Sequence, residues 1–307
     1  MYTFFGLVVP YTAGVIFVIG VLWRIWKWSN APVPFHIPTT CGQQKSLPWI
    51  KTSNLDCPSD TKGVIGRMAL EVLLFRSLLR NSTVKLKKEA KRLIYAGDVT
   101  LWAAALIFHW TLLIVLLRHL RFFTEPVPSF VLGLQSLDGV FRIAVPTLFL
   151  TDFLILLALT FLILRRIINP QIRFISLPSD YFAVLLLLGV VLSGILMRVF
   201  FKTDIVGVKE LAVGMISFNP STPSSSLGFP FYLHLFLVSA LLAYFPYSKM
   251  VHMAGVFLSP TRNLANNSRM RRHVNPWNYP VKVHTYEEYE NEFRDKMKAA
   301  GLPLDKE

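Results

Sequence analysis

Five long stretches of this chain carry almost no charge, and each is long enough to cross a lipid bilayer. Residues 3–23 and 99–117 lack Asp, Glu, Lys and Arg altogether. Residues 143–164 contain only Asp152, 181–197 stop short of Arg198, and 229–256 contain only Lys249. About 20 predominantly apolar residues span the roughly 30 Å of hydrocarbon. Backbone groups inside lipid must satisfy each other, so all five read as helices. The composition agrees: 53% of the residues are hydrophobic and 16% charged, against about 25% charged in soluble domains. Disordered, collagen-like and disulfide-framework chains are excluded. The two cysteines, Cys41 and Cys57, are too few for a metal–thiolate cluster without outside ligands. The first stretch has no positive n-region and no small-residue cleavage site after it, so it is expected to be retained.

The basic excess orients the spans. Lys and Arg number 32 against 18 Asp and Glu. Residues 24–95 hold 13 of the basic residues, 165–180 hold 3 and 249–307 hold 10, whereas 118–142 and 198–228 hold 3 each. Basic loops stay cytoplasmic, which places the N-terminus outside and the C-terminus inside. The run from Lys85 to Arg92 and the cluster Arg269-Met270-Arg271-Arg272 drive this assignment. Beside a span, such clusters meet anionic headgroups; no nucleic acid is implied.

The organisation that follows is a first transmembrane helix (1–24), a cytoplasmic segment (25–96), a four-helix transmembrane bundle (97–257) and a cytoplasmic tail (258–307). The cytoplasmic segment begins beside the aromatic belt Trp23, Trp26 and Trp28 and a loop with Pro32, Pro34 and Pro38. Residues 63–81 are predicted to form an amphipathic helix with Arg67, Glu71, Arg76 and Arg80, lying on the membrane or under a partner subunit. The Ser/Thr/Pro stretch 219–228 reads as a connector, and 285–300 as a polar helix. Cys41 and Cys57 fall on the reducing side, fit no metal or haem-attachment spacing, and read as structural.

Seven histidines occur: His36, His109, His119, His234, His252, His273 and His284. Four lie in the second and fifth spans, where ionisable groups are costly and mark function. His109 and His119 are ten residues apart and His234 and His252 eighteen, about 15 Å and five full turns along ideal helices. Antiparallel packing sets His119 level with His234 near the outer surface and His109 level with His252 nearer the inner one. The mismatch of spacings is about 6 Å at each level, which tilt and a wedged ligand absorb. Two stacked imidazole pairs in an apolar sleeve suit two six-coordinate b-type haems. A zinc site lacks a third ligand, and a proton relay has only Asp152. Arg118 and Arg121, beside His119, read equally as partners for haem propionates or as interface anchors.

The stretch Tyr232-Leu233-His234-Leu235 through Phe245-Pro246-Tyr247-Ser248-Lys249-Met250-Val251-His252 resembles the last span of respiratory nitrate reductase gamma subunits. The ten-residue spacing in the second span and the five-span, N-outside topology match as well. The resemblance covers about residues 97–275. The long segment 24–95 departs from it, as does a tail reading Leu258-Ser259-Pro260-Thr261-Arg262-Asn263 and then Arg271-Arg272-His273-Val274-Asn275-Pro276-Trp277. These features look like the DsrM branch, the cytochrome b subunits of the DsrMKJOP complex of dissimilatory sulfur metabolism. The membrane subunit of heterodisulfide reductase is the nearest neighbour of that branch.

The resemblance implies an all-α integral membrane protein of a prokaryotic cytoplasmic membrane. It implies a diheme cytochrome b linking menaquinol to a cytoplasmic iron–sulfur subunit of DsrK type, in a complex with DsrJ, DsrO and DsrP. Axial ligands carry over as His119 with His234 for the outer haem and His109 with His252 for the inner. The family's quinol-site lysine, counted back from Arg165-Arg166, falls near Arg142. Two rivals are a haem-free membrane anchor and a transporter. The second would need repeated halves, which the five dissimilar spans do not offer. No nucleophile–base pair or phosphate loop appears, so the chain is expected to pass electrons within a quinol-linked oxidoreductase and to hold no catalytic residue of its own.

Overall fold

The computed structural model describes residues 1–31, 53–80, 82–87, 92–139, 149–223, 225–266 and 284–305. A π-helical turn, Phe4–Val8, runs straight into helix α1 (Val9–Ser29). Helix α2 (Thr61–Leu74) starts at Asp60, whose carboxylate accepts the Gly63 N–H at 2.7 Å, as an N-cap does. It stops at Phe75, which adopts the left-handed conformation (φ 50°, ψ 47°), and α3 (Arg76–Leu79) follows. The helix predicted over 63–81 is therefore two helices with a bend between them. Glu71 bridges the bend by accepting from the backbone N–H and hydroxyl of Ser77.

Strands β1 (Ser82–Lys87) and β2 (Arg92–Gly97) form an antiparallel hairpin in register from Ser82↔Gly97 to Lys87↔Arg92. The charge-based reading of 85–92 does not reveal it. The flanking Thr-Val and Leu-Ile-Tyr runs carry the β-branched and aromatic content that favours strands.

The bundle consists of α4 (Val99–His119), α6 (Leu150–Ile168), α8 (Pro178–Val199), α10 (Gly228–Tyr244) and α1, with the shorter α5 (Ser129–Asp138) between α4 and α6 and α7 (Pro170–Ile175) between α6 and α8. Its close packing runs in an arc: α4 on α6, α6 on α8, α8 on α10, α10 on α1. The two histidine-bearing helices, α4 and α10, thus stand at separate places along the arc. Phe108, Ile155, Ala158 and Leu159 form the core between α4, α6 and α8. A second core joins Leu227, Phe231 and Tyr232 to Leu211 of α9 (Ile205–Ile216), a helix absent from the sequence reading. The outward residues are apolar and exposed, among them Ile19, Phe153, Leu185 and Leu196, as a lipid-facing surface requires.

Among the described residues four helices are long and apolar enough to cross a membrane: Phe4–Ser29, Val99–Phe122, Pro178–Val199 and Ser225–Tyr247. The remaining expected span, 143–164, begins outside the described residues and continues as α6, whose 19 residues include Asp152, Arg165 and Arg166. Each of these charges is paired. Asp152 bonds Arg198 at one end of the bundle. Arg165 bonds Asp98 and Arg166 lies 3.6 Å from Asp180 at the other.

The last span does not continue as one helix from His234 to His252. Pro246 lacks the N–H needed to extend α10, and a 3-10 turn (Phe245–Tyr247) leads to extended Ser248 (φ −103°, ψ 173°). A second 3-10 turn, Lys249–Val251, then delivers α11 (His252–Gly255). The shared helical face inferred from an eighteen-residue spacing does not exist, because the chain leaves the helical path at Ser248. The short helix α12 (Pro260–Asn263) packs on α2, and the Asn266 N–H donates to the Pro58 carbonyl at 2.6 Å. Helix α13 (Tyr286–Ala299) carries a Thr285/Glu288 capping box.

Candidate functional site

His109 projects from the middle of α4. Its Nδ1 lies 2.7 Å from the Ala105 carbonyl, and the Nδ1 of His252 lies 2.7 Å from the Lys249 carbonyl. A carbonyl only accepts, so both rings carry their proton on Nδ1 and turn a lone pair outward at Nε2. The two rings stand 6.0 Å apart between centroids at 83°. The Phe75 and Phe108 rings each pack edge-on to His109 at 4.9 Å. Phe75 reaches it because indole N–H groups of α4 hold the end of α2: Trp102 donates to the Leu74 carbonyl at 2.7 Å and Trp110 to that of Leu73 at 3.1 Å. A non-glycine residue at positive φ is a strained choice that clusters at functional sites. His109 and His252 line one cavity of about 1870 Å³ together with Leu113, Val184, Arg24 and Lys249. That exceeds the roughly 300–1,000 Å³ of an ordinary ligand cleft.

His119 and His234 make the second pair. His119 Nδ1 lies 2.7 Å from the Val115 carbonyl. His234 Nδ1 lies 2.9 Å from the hydroxyl of Ser193, which in turn lies 2.9 Å from the Val190 carbonyl. The serine has one proton and the carbonyl requires it, so His234 donates from Nδ1 like the other three. Gly194 makes room for this ring: a Cβ there would sit 3.1 Å from its Cε1. His119 and His234 lie near one another, and Arg118, Asp152 and Arg198 lie near His119.

These groups are held by a buried network. Arg118 pairs with Asp138 and donates to Thr151 Oγ1 at 2.8 Å, and Asp138 also accepts the Thr151 N–H at 2.9 Å. The guanidinium carbons of Arg118 and Arg198 lie 3.4 and 4.1 Å from the ring centre of Phe149. The Nε of Arg198 is buried without a hydrogen-bond partner.

The donor set fits haem. Metal–imidazole bonds of about 2.0–2.1 Å bring two rings on one metal to a centroid separation of about 6 Å. Among the described residues no three His, Cys, Asp or Glu side chains converge as a metal site; the arrangement is of imidazole pairs in apolar surroundings, which axial haem ligation uses. Anchoring of Nδ1 to a carbonyl or hydroxyl fixes the ring and raises ligand basicity. His109 and His252 come together ring to ring, and His119 lies near His234. Of the arginines beside His119, Arg118 is engaged by Asp138, and Arg121 donates to Gln135 at 2.9 Å. Arg142, His36, Cys41 and His273 lie outside the described residues. Cys57 is buried against the side chain of Asn266. The sequence reading missed Phe75, Ser193 and Gly194, and saw Asp152 and Arg198 only as isolated charges.

Outside the spans, two carboxylates are tuned. Burial would raise the Asp98 carboxyl, but the Leu101 N–H and the guanidinium of Arg165 outweigh it and hold the pKa below the usual range. Asp56 is held well below that range, chiefly by Arg76, against burial and with help from Arg80 and Ser53.

The nitrate reductase gamma subunit family profile matches residues 63–272, which spans α2, the hairpin and all four histidines of the paired sites. The chain belongs to that family. Within it, the Hdr-like menaquinol oxidoreductase cytochrome b-like subunit of Archaeoglobus fulgidus is 46% identical over 279 residues, 89% of this chain and 83% of that protein. The corresponding subunit of Archaeoglobus profundus is 41% identical over 283 residues, 90% and 83% of the two chains. A subunit of the dihydromethanophenazine:CoB–CoM heterodisulfide reductase of Methanosarcina acetivorans is 24% identical over 258 residues, 82% and 87%. With four span-capable helices, this member of the family is a multi-pass membrane protein.

Proposed function

We propose that this chain is the diheme cytochrome b subunit of an Hdr-like menaquinol oxidoreductase complex, with His119 and His234 as axial ligands of one haem b and His109 and His252 of the other. The observation that carries this is the common geometry of four histidines, each anchored through Nδ1 with Nε2 left to a metal, with His109 and His252 ring to ring at 6.0 Å. Haem supplies reversible one-electron chemistry when bound. The chain's own part is to orient the rings, keep water out and hold paired charge beside His119.

Helix α6 is the fifth span in this reading. Its 19 residues reach about 28 Å at 1.5 Å per residue, and charges inside a membrane are retained where they pair with one another, as Asp152, Arg165 and Arg166 do. The lysine and arginine count then sets the N-terminus outside, so the His109–His252 level is the inner one. Menaquinol would be oxidised toward the outer level, its two protons released outside and its two electrons passed on one at a time, with Arg142 as the candidate contact. Electrons would leave to a cytoplasmic iron–sulfur subunit docked on residues 24–95 and the tail. The names of the two Archaeoglobus relatives favour an Hdr-like partner. The narrower assignment, DsrM with DsrK, DsrJ, DsrO and DsrP, rests on the long segment 24–95 and the tail motifs, and sulfur metabolism with it.

A reduced-minus-oxidised optical spectrum of the purified complex, with haem extracted and counted per chain, tests the proposal. Two b-type haems per chain are expected; none would leave the haem-free anchor. Mass spectrometry of the co-purifying subunits distinguishes an Hdr-like from a DsrMKJOP complex.

A further inference from the structure

The inner cavity is bounded by a helix that contributes no histidine. Helix α1 closes on the bend of the last span: a Cβ at Gly20 would sit 2.6 Å from Pro246 Cβ, and one at Gly255 would touch the Trp28 ring at 3.3 Å. Between these contacts Arg24 donates from Nε to the Pro246 carbonyl at 3.0 Å, six residues before His252. That bond uses one of five guanidinium protons and fixes the fork of the remaining four at the cavity wall, which Arg24 lines with His109 and His252.

Charge at this wall is unbalanced. The cavity carries the cations Arg24, Arg166, Lys249 and Arg262 and the carboxylates Glu71 and Asp180. Asp180 is taken by Lys249 at 2.7 Å and Arg166 at 3.6 Å, and Glu71 by Ser77. Among the described residues no carboxylate forms an ion pair with Arg24, whose hydrogen bond goes to the Pro246 carbonyl. A part-buried guanidinium in a low-dielectric wall calls for an anion, and its fork matches a carboxylate. Haem b brings two propionates into a cavity whose own carboxylates, Glu71 and Asp180, are already engaged.

We propose that Arg24 binds a propionate of the inner haem, so that the first helix completes the inner site by supplying its counter-charge and by clamping the bend that presents His252. The inference rests on the haem reading above. A phospholipid phosphate at the same fork is the other source of an anion, and the test separates the two.

The test is a redox titration of both haems across pH in the full complex in native membranes, for wild type, Arg24→Gln and Arg24→Lys. A propionate deprived of its cation takes up its proton at higher pH. In Arg24→Gln the inner haem's midpoint should therefore fall at neutral pH, and its dependence on pH should begin at a higher pH than in wild type. The outer haem should not change, and Arg24→Lys should recover most of both effects. Superimposable midpoint–pH curves for Arg24→Gln and wild type would overturn the proposal and leave the fork to a lipid. Equal shifts in the Lys and Gln variants would overturn it too, because the bond to Pro246 would then be all that matters. Wild-type complex without a b-type spectrum defeats the haem reading itself, before any variant is compared.

Discussion

The ring of His252 stands 6.0 Å from that of His109 and nearly perpendicular to it, although no continuous helix carries His252 to that place. Its position is made by a break. Pro246 ends α10, Ser248 is extended, and the 3-10 turn from Lys249 supplies the carbonyl that anchors its Nδ1. His234, by contrast, sits within α10 and is steadied from α8 through Ser193. The two levels are thus built by different means, one by a loop held against α1 and one by helix-to-helix packing.

That difference predicts separable losses. Replacing His252 or His109 by Ala should remove one of the two haems and leave the low-spin signal of the other, and His119→Ala or His234→Ala should do the converse. Haem counts per chain with electron paramagnetic resonance of each variant decide it. Loss of both haems from each variant would mean that the pairs do not bind independently.

Ser193 and Gly194 should matter although neither is a ligand. Ser193→Ala removes the acceptor that fixes the His234 tautomer, and losing such an outer partner typically costs about 10–100-fold in metal affinity. At Gly194 an added methyl would sit 3.1 Å from the His234 ring, close enough to push it aside by a few tenths of an ångström. Gly194→Ala should therefore broaden the outer haem's spectrum, and Gly194→Val should abolish its binding. Haem retention during detergent washing, followed optically, ranks the three variants.

Four of the spans and the meeting of His109 with His252 are legible in the sequence because both rest on long-range regularities, apolar length for one and histidine spacing for the other. What stays hidden depends on single backbone torsions and on contacts between distant residues. Phe75 looks like one more apolar position of an amphipathic helix, yet its positive φ splits that helix and brings its ring to His109. The proline at 246 suggests a kink, but nothing local announces that Ser248 turns extended. Asp152 and Arg198 are 46 residues apart and become a pair only when α6 lies on α8. The hairpin beside α4 is obscured by its own lysines, which read as charge before they read as the polar half of an alternating strand.

Arg118 and Asp138 form a buried pair completed by Thr151. Removing one member of such a pair leaves a charge with no partner and costs about 3–5 kcal/mol. Asp138→Asn and Arg118→Gln should each lower the thermal midpoint of the detergent-solubilised complex. The double variant should be less destabilised than the two single effects added together, since it leaves no lone charge. If the single effects add fully, the two residues do not act as a pair.

The segment preceding α4 should loosen in acid, and Asp56 sets the pH. Its carboxylate holds Arg76 and Arg80 and accepts from Ser53 at 2.9 Å, while its backbone carbonyl takes Arg67 at 2.8 Å. Because the folded pKa is depressed, principally by Arg76, the contribution is fully present above the unfolded value of about 3.9. It is lost as the pH falls from there toward the folded value. Arg80 is 54% exposed, so water screens its share, and the whole cluster is worth on the order of 1 kcal/mol. Hydrogen exchange over residues 53–80 should thus be insensitive to this group between pH 5 and 8 and accelerate, after correction for intrinsic rates, below pH 4. Asp56→Asn should exchange faster at neutral pH and lose the acid-dependent acceleration. A variant that kept the wild-type acid profile would place the titrating group elsewhere.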